Sequence, residues 1–286
     1  YLERSGSMFL GCTSLIGDQG SVVTNAHLDV AGARPDGGID NEGYFTRTEE
    51  VYAVLEPDNT TMTMYFDKQR EERGGVTNWL KYNNVSTNPD KQNNRVEKIV
   101  LDESMQQAKP NSTEEWFDAF HYLTEIVHLD YLNTSKVRNM NSMFNNCNRL
   151  REIDLSHFNT SKVKSMRWMF VNCDSLTEID LNSFDMQSVE TTWCLFNGCD
   201  YLPTIYCSND WNVTAPNLTE SRYTFGECFS LGGEKGTVFD TDHEDVSYAR
   251  PDGGEDAPGY FSTTPYVVTI LSEHGTVTTE EKRINL

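Results

Sequence analysis

Residues 150–173 read LREIDLSHFNTSKVKSMRWMFVNC, and residues 176–199 read LTEIDLNSFDMQSVETTWCLFNGC. The two stretches align without a gap at a step of 26 residues, so the chain contains an internal repeat. Residues 123–147 form an earlier copy with one extra residue in its strand, and a diverged copy runs from Leu202 to Cys228. With an edge copy over residues 98–120, the pattern predicts about five stacked rungs.

Each rung combines two hydrophobic patterns. Leu150, Ile153 and Leu155 have the spacing of a short strand whose apolar side chains point inward. The apolar residues that follow, at helix-like intervals, are Val163, Met166, Met169 and Phe170. One rung cannot bury its own apolar face, but stacking gives every face a neighbour. The predicted fold class is therefore an α+β repeat, a solenoid of 26-residue rungs with short strands and short helical turns.

Three of the seven cysteines share one phase of this period. They are Cys147, Cys173 and Cys199, and the edge copy has Phe120 at the same position. We predict a ladder of buried free thiols, with stacked disulfides or a metal column as the alternatives. Cys194 and Cys207 fall outside the phase, and the sequence does not decide their pairing.

A second, longer repeat relates the two ends of the chain. Residues 7–46 align without gaps to residues 223–262, with about half of the positions identical. We therefore predict a chain cut from a tandem array. Its segments are a C-terminal end and cap of a preceding array (1–46), a β-rich connector (47–95) with a hairpin turning at Pro57–Asn59, a repeat solenoid (96–232), a loop-rich C-terminal cap (233–262), and the start of a following β module (263–286).

The charge of the chain is strongly negative. It has 44 acidic and 23 basic residues, a formal net charge of −21. Such a field repels phosphate backbones and anionic lipid headgroups, so we expect neither nucleic acid nor a membrane surface as a partner. No apolar run is long enough to span a membrane, so we expect no direct membrane insertion. The chain begins at Tyr1 without a leader pattern, so we expect any signal peptide to lie upstream.

The pattern LTEIDLSxFNTSKVxxMxxMFxNC resembles the BspA-like leucine-rich repeats of bacterial surface proteins, the group called DUF285. The resemblance covers about residues 96–232 and a half-repeat at 7–20. The cap sequence ARPDGG…GYF, at Ala33–Phe45 and Ala249–Phe261, resembles the module that closes such arrays in Bacteroides-like and Prevotella-like bacteria. The resemblance implies a leucine-rich-repeat-like solenoid in a cell-anchored extracellular protein that functions in adhesion. It implies no catalytic motif and names no ligand.

Two columns of outward side chains are the candidate ligand-binding residues. In register, alternate strand residues of successive rungs stack on the exposed face, the usual ligand surface of a solenoid. The first column is His128, Asp154, Asp180 and Tyr206, and the second contains Asp130, Ser156 and Asn182.

An enzymatic alternative rests on Asp154 and Asp180. Stacked rungs would place the two carboxylates about 5 Å apart, close enough to raise one pKa and near the separation of a retaining glycosidase pair. An open strand face offers no water-excluding pocket, so we expect no enzyme activity.

Both caps carry a His-x-Asp pair, His27 with Asp29 and His243 with Asp245. A calcium or transition-metal site could use these residues, but a histidine hydrogen-bonded within a cap explains them without a metal. We therefore expect no cofactor, with calcium as the alternative. Arg250 and Asp252 have the pattern of a cap ion pair.

These patterns predict a cell-surface binding or adhesion module that recognises a host or neighbouring-cell protein or glycan. The alternatives are a structural spacer in a surface stalk and a carbohydrate-active enzyme. The sequence does not specify the ligand or the oligomeric state.

Overall fold

The computed structural model describes residues 49–77 and 95–263. The described chain is a strand-rich α+β structure with two open sheets. Its strands are β1 (Glu50–Leu55), β2 (Thr61–Asp67), β3 (Lys98–Leu101), β4 (Glu125–Val127), β5 (Glu178–Asp180), β6 (Thr204–Tyr206) and β7 (Phe261–Ser262). One α-helix, α1 (Trp211–Thr214), and 3-10 helices at Glu103–Gln107, Leu129–Tyr131, Thr241–His243 and Val246–Tyr248 complete the elements of this part of the chain.

The predicted connector hairpin is confirmed. β1 and β2 pair antiparallel, from Glu50 opposite Asp67 to Leu55 opposite Met62. The turn forms because the Asp58 carboxylate accepts hydrogen bonds from the backbone of Thr60 and Thr61. β2 then pairs parallel with β3, and β3 with β4, in a four-stranded sheet of order β1-β2-β3-β4. The hairpin therefore extends the same sheet as the first repeat strands.

The repeat step is visible in the backbone pairing. Parallel bridges join Ser112, Asn139, Ser165, Thr191 and Glu220 in turn, at steps of 27, 26, 26 and 29 residues. We propose that these five stacked units are the rungs of a solenoid. A second sheet, of order β5-β6-β7, lies along the later rungs, and all its strands are parallel.

The helix-like half of each rung consists of consecutive turns. Residues 167–172 are all in turns, and Met169 N–H and Val171 N–H bond to carbonyls three residues earlier. Trp168 and Asn172 have left-handed backbones, with φ of 56° and 54°. Trp168, Phe170 and Asn172 instead donate to Trp193, Leu195 and Asn197 of the next rung. The backbone is thus shared between local turns and neighbouring rungs, which prevents a continuous α-helix.

Two columns of side chains fill the centre of the stack. The phenylalanines stack face to face at centroid separations of 5.3, 5.3, 5.3 and 6.0 Å, and they are Phe117, Phe144, Phe170, Phe196 and Phe225. The thiols beside them are buried and free, as predicted, and they are Cys147, Cys173, Cys199 and Cys228. Because each column crosses every rung, the core is continuous from one rung to the next.

The predicted strand of the second regular rung is absent. Leu150 and Leu155 point inward and are 1% exposed, as expected, yet residues 151–155 form no strand. The preceding rung is one residue longer, since Leu123 precedes Leu150 by 27 residues. His128 accommodates this residue in a left-handed conformation, with φ of 59°, at the start of a 3-10 turn. The local displacement interrupts the ladder between β4 and β5.

The cap is held by Asp252, but not through the expected ion pair with Arg250. The Asp252 carboxylate, 2% exposed, accepts hydrogen bonds from the backbone of Lys235, Thr237 and Gly254 and from the Thr237 hydroxyl. Arg250 donates instead to the Pro258 carbonyl. A buried carboxylate needs several donors, and loop amides supply them at no cost in side-chain ordering.

Three predicted segments lie wholly or partly outside the described residues. They are the preceding cap (1–46), the second half of the connector (78–94) and the following β module (264–286). In the described ranges, no helix is long and apolar enough to cross a bilayer.

Candidate functional site

The break between the two sheets forms an open groove of about 560 Å³. This volume lies within the range of ligand-binding clefts. β4 forms one wall, β5 the other, and residues 152–157 run between them. We call this feature the inter-sheet groove.

The inter-sheet groove gathers most of the predicted ligand columns. Six of the seven predicted residues line it: His128, Asp130, Asp154, Ser156, Asp180 and Tyr206. Asn182 does not line it. Its side chain instead donates to Asp180 Oδ1 at 2.9 Å and accepts from Ser208 N–H at 2.9 Å. Asn182 therefore joins two rungs beside the groove and positions a carboxylate within it.

The Asp154 carboxylate is exposed and stays ionised. Its Oδ1 accepts a hydrogen bond from Ser156 N–H at 2.9 Å. The backbone and side chain of Ser156 lower the pKa of Asp154 below its ordinary value, and they outweigh its slight burial. The like-charge rise that an acid catalyst at Asp154 would need is thus replaced by a shift in the opposite direction.

Sequence reasoning missed a third column of groove residues. Glu125, Glu152 and Glu178 occupy the strand position two residues before the outward column, and all three line the groove. Their motif, Leu-x-Glu-Ile, recurs in each rung, and alternate strand residues share one face. The period-2 rule could therefore have identified this column along with the other two.

His157 is a second groove residue that the sequence did not indicate. Its Nε2 is buried and has no hydrogen-bond partner among the described residues, and its ring packs edge-on against Phe158. His128, in contrast, is exposed and stacks on Tyr131 at a centroid distance of 4.7 Å. Nothing in the repeat motif distinguishes these two histidines in advance.

The groove is strongly acidic. Its lining carries six carboxylates and two histidines but no lysine or arginine. The carboxylates are Glu125, Asp130, Glu152, Asp154, Glu178 and Asp180. Lys98 lies beside it and reaches Glu125 at 3.0 Å. The groove therefore favours a cationic ligand.

The backbone of the groove is partly unpaired. β4 and β5 are edge strands of their sheets, and both line the groove. Within the described ranges, no backbone hydrogen bond joins residues 152–154 to either strand. Contacts remain only at the two ends, where Thr177 N–H donates to the Arg151 carbonyl and the Ser183 hydroxyl to the Leu155 carbonyl.

The metal candidates of the described cap are engaged within the protein. His243 Nδ1 lies 3.1 Å from the Ser247 hydroxyl, and the Asp245 carboxylate accepts from Ser247 N–H. The His243 ring also stacks on Tyr248 at 3.9 Å. Across the described ranges, no three histidine, cysteine or acidic side chains gather as a metal site. The matching pair, His27 and Asp29, lies outside the described residues.

Residues 111–234 match the family described as "Mycoplasma protein of unknown function, DUF285". The matched segment contains every groove residue, and it forms a DUF285 domain within a longer chain. This confirms the DUF285 part of the resemblance, whereas the bacterial group and the leucine-rich-repeat character stay predictions. No curated protein and no solved structure matches the chain.

Proposed function

We propose that this protein is a binding module of the bacterial cell surface, which recognises an extracellular protein or glycan through the inter-sheet groove. The observation that carries the proposal is the convergence of six predicted ligand residues in one open groove. Exposed carboxylates are dispersed in most soluble surfaces, whereas here they line a concavity of ligand size. The extracellular location is proposed from the DUF285 domain and its resemblance to surface-protein repeats.

The groove favours binding over catalysis. A retaining glycosidase needs one carboxyl group with a raised pKa as its proton donor. Asp154 has a lowered pKa and lies exposed to water. We therefore propose no enzymatic activity and no cofactor for this site.

A spacer in a surface stalk is the second candidate. The unbroken columns of phenylalanine and cysteine favour it, because such a stack is self-sufficient and could separate other domains without binding anything. The two functions differ in whether the groove matters.

Binding to immobilised extracellular proteins and to a glycan array tests the proposal. The groove variant Glu152→Gln/Asp154→Asn is compared with the wild type and with Glu255→Gln/Asp256→Asn, which removes two exposed charges in the cap. We expect at least one partner that binds the wild type and the cap variant but loses the groove variant. If no partner binds, or if both variants bind equally, the spacer function is favoured.

A further inference from the structure

The inter-sheet groove has the features of an acceptor for a β-strand. An edge strand exposes a row of backbone donors and acceptors, and an extended peptide can satisfy them by adding to the sheet. β4 ends the first sheet and β5 begins the second, so two such edges line one groove. Residues 152–154 add a third stretch of backbone without a ladder partner in the described chain.

A one-residue insertion explains why this gap is present. Rungs at a constant step of 26 would bring residues 152–154 alongside both neighbouring strands. The 27-residue step before Leu150 shifts the chain at His128, whose left-handed backbone begins a 3-10 turn. Regular pairing resumes with β5 and β6, where Glu178 lies opposite Thr204. The opening is therefore confined to one rung.

The side chains of the groove determine which peptide would fit. Six carboxylates line it and no basic side chain does, so an inserted segment with lysine or arginine at alternate positions would face complementary charge. Ile126, Ile153 and Ile179 also line the groove, and they offer apolar contacts to the residues between the basic ones. An alternating basic and apolar segment matches both.

A sugar ligand fits the groove less well. Carbohydrate rings usually stack on exposed aromatic faces, and aromatic rings carry a large share of such contacts. Among the lining residues, Tyr206 is the one phenol or indole, and it is half-buried. The exposed aromatic side chains, such as Trp168 and Tyr223, are not part of the lining.

We propose that the inter-sheet groove binds an extended basic polypeptide segment, which pairs as an additional strand with the free edges of β4 and β5. The proposal rests on the binding function proposed above and names its ligand class. Main-chain hydrogen bonds hold the segment, and the carboxylates select its charge.

Calorimetry with synthetic heptapeptides on the intact chain tests this inference. The probe is a capped peptide of alternating lysine and valine. One control peptide replaces lysine with glutamate, and a second carries N-methyl groups on alternate amides, which block strand pairing but keep the charge. We expect binding of the first peptide alone, weakened about tenfold in the Glu152→Gln/Asp154→Asn variant. The cap variant Glu255→Gln/Asp256→Asn should bind like the wild type.

Hydrogen exchange supplies an independent measurement on the same complex. The amides of Ile126 and Ile153 should gain protection when the lysine–valine peptide binds, because strand pairing takes up exposed backbone groups. Equal binding of the N-methylated peptide would overturn strand addition and indicate adsorption by charge. A groove-dependent glycan without any peptide binding would overturn this inference and leave the binding function standing. If neither glycans, immobilised proteins nor peptides bind, both proposals fail.

Discussion

The thiol of Cys173 donates a hydrogen bond to the carbonyl oxygen of Phe144, with 3.2 Å between Sγ and O. The same contact recurs along the column, from Cys147 to Phe117, from Cys199 to Phe170 and from Cys228 to Phe196. Each cysteine therefore fills space between rungs and satisfies a buried carbonyl of the rung before it. This explains why a small side chain with a donor suits the position.

Cys173→Ala should lower the free energy of unfolding by about 1–3 kcal/mol, because it leaves the Phe144 carbonyl without its donor and opens a small void. Cys173→Ser keeps a donor and should lose less. Cys194→Ala is the matched control, since Cys194 is half-buried and outside the column. Urea denaturation measures all three, and an alanine variant at Cys173 as stable as the control would contradict the role of the hydrogen bond.

Alkylation should separate the cysteines by position. Burial raises the pKa of the Cys147 and Cys173 thiols, and it raises the pKa of Cys207 to about 11. The reactive thiolate is therefore scarce at these buried sites. In native protein, iodoacetamide should modify Cys194 before any residue of the column, and unfolding should expose them all. Peptide mass spectrometry locates the label, and equal native rates at Cys173 and Cys194 would show that the column opens readily.

Phe170 stacks between Phe144 and Phe196, with ring centroids 5.3 Å away on both sides. Phe170→Ala should cost about 3–5 kcal/mol in unfolding free energy, because it opens a cavity in the middle of the column. Phe229→Ala is the control, since Phe229 is 64% exposed and should change stability by less than about 0.5 kcal/mol. Thermal unfolding compares the two, and similar losses would indicate that the stack contributes little.

The sequence predicted the repeat step, the free thiols and the hairpin because these depend on local spacing. Leu150 and Leu155 point inward as their period requires. The break at residues 151–155 was not predicted, because it arises from how one extra residue in the preceding rung displaces its neighbours. The extra residue itself was visible. Its effect depends on the left-handed conformation of His128, which a repeat pattern does not encode.

The candidate site was predicted in part for the same reason. The outward column of Asp154 and Asp180 follows from the two-residue period, and Glu152 follows from it equally well. The groove does not, because a regular ladder would have left these side chains on an open surface. Similarly, the pairing of Asp252 with loop amides depends on the folded path of the cap.

Asp252→Asn should destabilise the cap in a pH-dependent way. Although burial alone would raise the pKa of Asp252, hydrogen bonds from Thr237, Gly254 and Lys235 lower it below the ordinary 3.8. The ionised form therefore stabilises the folded state above that pH, and the contribution is lost as the pH falls through the folded pKa. The variant should be about 1–3 kcal/mol less stable than the wild type at pH 7. Denaturation at pH 7 and pH 3 should show this difference shrinking on acidification, and a difference independent of pH would contradict the role of the charge.

Deletion of His128 should close the inter-sheet groove. The deletion restores a 26-residue step before Leu150, so residues 152–154 can pair with β4 on one side and β5 on the other. Their amides should gain protection from hydrogen exchange, and the lysine–valine peptide should no longer bind. His128→Gly is the matched control, because it keeps the chain length and suits the left-handed φ of 59°. It should retain the groove and peptide binding, so a deletion variant that exchanges and binds like His128→Gly would show that the extra residue does not open the sheet.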